Sequence, residues 1–115
     1  MSQPVLNQYT PTKFSRIYSL GAARGDLTVT NDDVAGPIDS SDEWIRQRTG
    51  IITRKRASKD RSLMDMAVEA SNEAIAGAKI DPKEIGAVIF STITHPHQTP
   101  SAAALLADKV GANPA

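Results

Sequence analysis

The chain of 115 residues carries thirteen basic and thirteen acidic side chains, one tryptophan and no cysteine. That length supports one modest core, and the balanced charge supplies no long-range field to recruit nucleic acid or an anionic membrane. No apolar stretch approaches a membrane span or the core of a signal peptide, and the lack of cysteine fits a reducing compartment, so the expectation is a cytoplasmic protein that recognises its partners locally.

Met1 to Thr12 holds two prolines, two glutamines and an asparagine without a hydrophobic period, which predicts a flexible leader outside the core. Phe14, Arg16, Tyr18 and Leu20 alternate against Ser15, Ile17 and Ser19, the pattern of a short strand with unequally buried faces, and Gly21 and Gly25 mark its exit. Thr30 is suited to cap a short helix with Asp33 at its third position and Asp32 in its first turn, where the helix dipole favours acid. Gly36-Pro37 then stops that helix.

Ser40 reads as the cap of the next helix and Glu43 as its capping-box partner, with Thr49-Gly50 as the exit. Trp44 and Arg48 are then i and i+4 neighbours on one face. An indole can stack on a purine, and a guanidinium beside it can grip a ring edge or a phosphate through paired charge-assisted hydrogen bonds. The same spacing also suits a buried core tryptophan with a solvated arginine.

Ile51 to Arg56 begins β-prone and ends in a basic cluster without interleaved aromatics, a solvated edge strand rather than a nucleic-acid site. Its nearness to Arg46 and Arg48 makes it a candidate for long-range help with an anionic ligand. Leu63, Met66, Ala67, Ala70, Ala74 and Ala78 recur at helical spacing, with Glu69 and Glu73 on the other side, which predicts a closely packed helix over 62–78. Asp81-Pro82-Lys83-Glu84 is a cap followed by proline at the first position of one helical turn. Ala87 to Thr92 has the length and apolarity of a strand covered on both faces. Thr99 and Pro100 open the last helix, with Leu105, Leu106 and Val110 inside. His95 and His97 lie in the preceding loop without a cysteine or positioned carboxylate, so a structured turn is expected there and no metal site. The order of strand, short helices, long helix, strand and helix is the beginning of a mixed α/β layered sheet.

The run from Asp39 to Ile51 closely resembles the signature near the amino terminus of β-ketoacyl-acyl-carrier-protein synthase III. The resemblance continues in register from about Phe14 to the end, through the Val29 to Asp33 helix start, the helix from Ser62, the strand at Ala87 to Thr92, and Thr99-Pro100-Ser101-Ala102-Ala103. It implies the thiolase-like layered αβαβα fold, with residues 13–115 as the first, incomplete part of the amino-terminal half, since members are roughly three times longer and built from two similar halves. The implied reaction is a two-stage Claisen condensation. A cysteine thiolate takes an acyl group from acyl-CoA, and the acyl-enzyme then meets the carbanion formed by decarboxylating malonyl-acyl carrier protein.

By the same resemblance Trp44 stacks on the adenine of CoA, Arg48 lies on the opposite side of the ring or at its edge, and Thr49 hydrogen-bonds the nucleotide. Acyl-CoA is a substrate, so no cofactor is implied. The nucleophilic cysteine and the histidine and asparagine that stabilise the oxyanions would all lie past Ala115, so no catalytic residue is assigned in this chain and the chain alone is expected to be inactive. Thr99 corresponds to a dimer-interface residue that lines the partner's acyl pocket in the implied homodimer. Some acetyl-preferring members carry a bulky aromatic there, so threonine suggests room for a longer or branched primer. Two alternatives stand beside this one: a paralogous condensing enzyme of polyketide or other specialised acyl metabolism, and a non-catalytic fragment that binds nucleotide or pairs with a full-length homologue.

Overall fold

The computed structural model describes residues 14–36, 39–94 and 97–112. The leader expected over Met1 to Thr12 lies outside these residues, as do Pro37, His95 and the last three residues. The first packed group is built on two antiparallel strands, β1 (Leu27–Thr30) and β2 (Thr53–Arg56), with Leu27 opposite Arg56 and Thr30 opposite Thr53. Between them run helix α1 (Asp32–Ala35) and helix α2 (Asp42–Thr49). β2 is the exposed basic strand expected from the sequence, and Lys55 Nζ donates to the Thr28 hydroxyl directly across the ladder at 2.7 Å. β1 was not anticipated. The helix start read at Thr30 sits one residue later, with Asn31 in the cap position. The expected Thr30–Asp33 exchange nevertheless forms at the end of β1: Asp33 Oδ2 accepts from both the amide and the hydroxyl of Thr30 at 2.7 Å.

The second group pairs α3 (Leu63–Ala78) with α4 (Ala102–Val110). Ser62 caps α3 in extended backbone and forms a reciprocal box, its hydroxyl accepting from the Asp65 amide at 3.1 Å while Asp65 Oδ2 accepts from the Ser62 amide at 2.9 Å. This satisfies two donors that the first turn of a helix leaves orphaned. The face predicted to be inside is half-buried and divided: Ala67 packs toward α4 beside Met64, Val68 and Ile75, while the backbone at Ala70 and Ala74 meets Gly21. Leu106, Ala107, Val110 and Ala112 form the buried centre, with Met64, Ala67, Val68, Ile75, Ile85, Val88 and Phe90 packed on it. Between the helices, Asp81 caps the single 3-10 turn Pro82–Glu84, as read from the sequence. α4 begins two residues later than expected, because Ser101 rather than Thr99 supplies the cap, its hydroxyl accepting from the Ala104 amide at 3.2 Å.

Two expected strands do not form. Phe14 to Leu20 has no ladder; the chain instead runs against α3, where Ser19 faces Gly77, Gly21 abuts the backbone of Ala70 and Ala74, and the Ala22 amide donates to Glu73 Oε2 at 2.8 Å. Phe14, Ile17 and Leu20 are left exposed. Ala87 to Thr92 likewise has no ladder, although its burial alternates as a strand's would: Val88 and Phe90 pack on the α4 cluster while Ile89 is 94% exposed. The expected cover on both faces is therefore cover on one. A strand is defined by the neighbour that takes up its backbone hydrogen bonds, and among the described residues β1 and β2 form the only ladder.

Candidate functional site

Helix α2 carries the tryptophan and arginine singled out by spacing. Its cap is Ser41, one residue later than read: Ser41 has extended backbone and its hydroxyl accepts from the Trp44 amide at 3.1 Å. Trp44 thereby occupies the third helical position, so no capping box with Glu43 exists, and Glu43 instead accepts from Gln47 Nε2 at 3.0 Å. Ser40 Oγ is buried without a partner among the described residues. Two consecutive serines offer the same chemistry, and only backbone conformation decides which one caps. The exit is as predicted: Gly50 is left-handed at φ 70° and its amide donates to the Arg46 carbonyl, a conformation glycine adopts without steric cost.

Trp44 is 54% exposed, so the core-tryptophan alternative does not describe it. The Arg48 guanidinium carbon stands 5.6 Å from the centre of its ring, within cation–π range. Arg46, two residues before, is taken up by an ion pair with Asp42 at 2.7 Å, whereas Arg48 has no carboxylate partner among the described residues. The pair therefore presents a flat apolar surface beside forked N–H donors, an arrangement suited to an aromatic ring that carries phosphate. Thr49 closes the helix: its hydroxyl donates to the Ile45 carbonyl at 2.7 Å and accepts from the Ile51 amide at 3.1 Å. With its proton engaged, Thr49 can meet a ligand only as a further acceptor.

What sequence reasoning missed is the polar network beneath this face. Asn31 is 1% exposed. Its Nδ2 donates to Asp42 Oδ1 at 2.7 Å and to the Ile51 carbonyl at 2.8 Å, and its Oδ1 accepts from Arg54 Nη2 at 2.6 Å. Arg54 Nη1 also donates to the Thr30 carbonyl at 3.0 Å. Hydrogen bonds from Arg46 first and Asn31 second hold the Asp42 carboxyl below its ordinary value of 3.8. Two cations of the basic cluster thus bond protein partners, Arg54 in this network and Lys55 across the ladder. The only sequence signal for Asn31 was an amide beside a helix start, which is also the signature of an ordinary cap.

Thr99 lies exposed in the loop leading to α4 and takes no part in the α2 network. His97, in the same loop, lines a separate cavity of about 440 Å³ with Ser62, Leu63, Met64, Thr94, Leu105 and Lys109. Among the described residues no three His, Cys, Asp or Glu side chains are grouped to hold a metal ion, and no helix is long and apolar enough to cross a membrane.

No protein-family model matches the chain. It is 50% identical over 99 residues to the β-ketoacyl-[acyl-carrier-protein] synthase III of Tropheryma whipplei strain Twist, a match covering 86% of this chain and 31% of that protein. The chain thus spans about a third of the length of the curated relatives it matches. Among solved structures, the priming β-ketosynthase of the R1128 polyketide biosynthetic pathway superposes with a TM-score of 0.81 at 40% identity, covering 87% of this chain and 30% of the other. The 3-oxoacyl-[acyl-carrier-protein] synthase III of Aquifex aeolicus VF5 follows at 0.78 and 35%, covering 85% and 32%. Sequence and fold together place the chain in the β-ketoacyl-acyl-carrier-protein synthase III family of thiolase-like condensing enzymes.

Proposed function

We propose that the chain supplies the CoA-binding portion of a cytoplasmic acyltransferase that joins an acyl-CoA primer to malonyl-acyl carrier protein. In that reaction a cysteine thiolate displaces CoA from the thioester. Malonyl-acyl carrier protein then loses carbon dioxide, and the resulting carbanion attacks the acyl-enzyme, releasing the thiolate and 3-oxoacyl-acyl carrier protein. The sequence holds no cysteine, so this chain is assigned binding rather than the covalent step. The observation that carries the reading is the exposed Trp44 ring with Arg48 over it on a short, capped helix. Trp44 stacks the adenine, Arg48 grips the ring edge or a phosphate, and Thr49 accepts a hydrogen bond from the nucleotide. The layered αβαβα architecture and homodimerisation, with Thr99 reaching the partner's acyl pocket, belong to the same proposal.

The test is Trp44→Ala in the intact enzyme. Loss of a base stack worth about 1–3 kcal/mol raises the KM for the CoA ester by roughly 5- to 150-fold and leaves malonyl-carrier handling unchanged. An unaltered KM for the CoA ester refutes the stacking role. Extending the same assay to long-chain acyl-CoA tests Thr99, because strict acetyl preference is incompatible with an acyl pocket opened by a small side chain. The R1128 neighbour favours a second reading in the same chemical class, a priming condensing enzyme of polyketide synthesis, for which the accepted primer and carrier are the discriminating measurements.

A further inference from the structure

Helix α2 has too little apolar surface to fix its own orientation. Of its eight residues only Ile45 is buried. One apolar anchor is a pivot, and a helix held at a pivot can still turn about its axis. Such a turn would carry Trp44 and Arg48 with it, since both sit on one face. A second attachment is needed, and Asn31 provides it. Both donors of its side-chain amide and its acceptor are engaged at 2.6–2.8 Å. The two donors bind the first residue of α2 and the chain just beyond its left-handed exit, while Arg54 ties the acceptor to β2. Asn31 is also the sole fully buried polar side chain among the described residues, and a buried amide with every partner in place holds one geometry, because any displacement leaves a desolvated group unpaired.

We propose that Asn31 is a positioning residue for the nucleotide clamp: by joining Asp42, the Ile51 carbonyl and Arg54, it sets the direction in which Trp44 and Arg48 face. The ligand in this statement rests on the CoA reading above; the orienting role does not. Asn31 touches no substrate and acts only through α2.

The test uses Asn31→Asp, which keeps the side-chain shape and the acceptor for Arg54 but replaces two donors with acceptors and sets a carboxylate against Asp42. Trp44 is the only tryptophan of this 115-residue chain, so in this chain its near-ultraviolet dichroism and fluorescence anisotropy report α2 with no ligand present. The expected result is a loss of more than about half of the tryptophan dichroism, an unchanged far-ultraviolet helix signal, and a Kd for acetyl-CoA raised about tenfold. The double variant Asn31→Asp/Asp42→Asn restores one donor–acceptor pair with its direction reversed, and recovers part of the dichroism and affinity. Tryptophan dichroism equal to that of the parent overturns the proposal. So does a helix signal that collapses in both variants, which would make the residue structural only; collapse in the single variant with recovery in the double one supports the link. If Trp44→Ala leaves the Kd for acetyl-CoA unchanged, the CoA reading fails while the ligand-free dichroism still decides the positioning role.

Discussion

Replacing Gly21 by alanine separates the chain's real packing from its apparent openness. A Cβ at Gly21 would lie 2.7 Å from the Ala74 amide nitrogen and closer still to the Ala70 carbonyl oxygen. Both atoms belong to the backbone of α3, whose hydrogen bonds hold them, so the 19–22 segment must retreat instead. Retreat separates Ser19 from Gly77 and breaks the bond from the Ala22 amide to Glu73. Overpacking of this kind costs about 1–3 kcal/mol. Gly86→Ala is the matched control: no atom of the described residues beyond its chain neighbours lies within 4 Å of the added carbon, and its φ is outside the left-handed region, so the same methyl group stabilises by about 0.4–1 kcal/mol through the unfolded chain. Two assays read the difference. The urea midpoint, followed by the helix signal, moves down for Gly21→Ala and slightly up for Gly86→Ala. Tryptic cleavage after Arg16 and Arg24 accelerates roughly 5- to 150-fold for Gly21→Ala only, as the opened population grows. Equal midpoints and equal cleavage in Gly21→Ala and parent would refute the docking of 14–22 on α3.

Two further outcomes follow from the hydrogen bonds at the helix starts. Ser62→Ala removes the cap of α3 and destabilises by about 0.5–2 kcal/mol in urea unfolding at pH 7; no shift in midpoint would contradict the capping box. Asp26, Asp33, Asp42 and Asp65 are each held below the ordinary value of 3.8, led by hydrogen bonds from the Ser58 amide, the Thr30 amide, the Arg46 side chain and the Ser62 hydroxyl respectively. Because the folded values lie below the unfolded ones, their stabilisation is complete above the unfolded value and is lost as pH falls through the folded values. The urea midpoint should therefore fall steadily below about pH 4, and a midpoint flat into that range would contradict the assigned bonds.

The elements legible in the sequence were those specified by local chemistry. α3 was legible because one serine precedes one alanine-rich periodic run, and the 3-10 turn because Asp81-Pro82 leaves few alternatives. At α2 the chemistry was read correctly but not its position, because Ser40 and Ser41 compete for the same role. The strands failed for a non-local reason: the alternation at Phe14 to Leu20 and Ala87 to Thr92 records which side chains share a face, while a ladder depends on a partner elsewhere in the chain. β1 shows the converse, becoming a strand because β2 lies opposite. In the site, the i, i+4 spacing of Trp44 and Arg48 was enough to bring them together. Asn31 was hidden because its three partners come from α2, the turn after it and β2, none of which its neighbours in sequence reveal.

The half-covered segment around Phe90 also bears on how further chain would be added to it. With Val88 and Phe90 already seated on α4 and Ile89 pointing away, its facing is chosen before any backbone partner arrives. A slip of one residue would lift Phe90 off the cluster and press Ile89 and Ser91 toward it, reversing every side chain at once. An incoming strand therefore meets a template with one permitted alignment, and the packing of α3 against α4 acts as the jig that selects it.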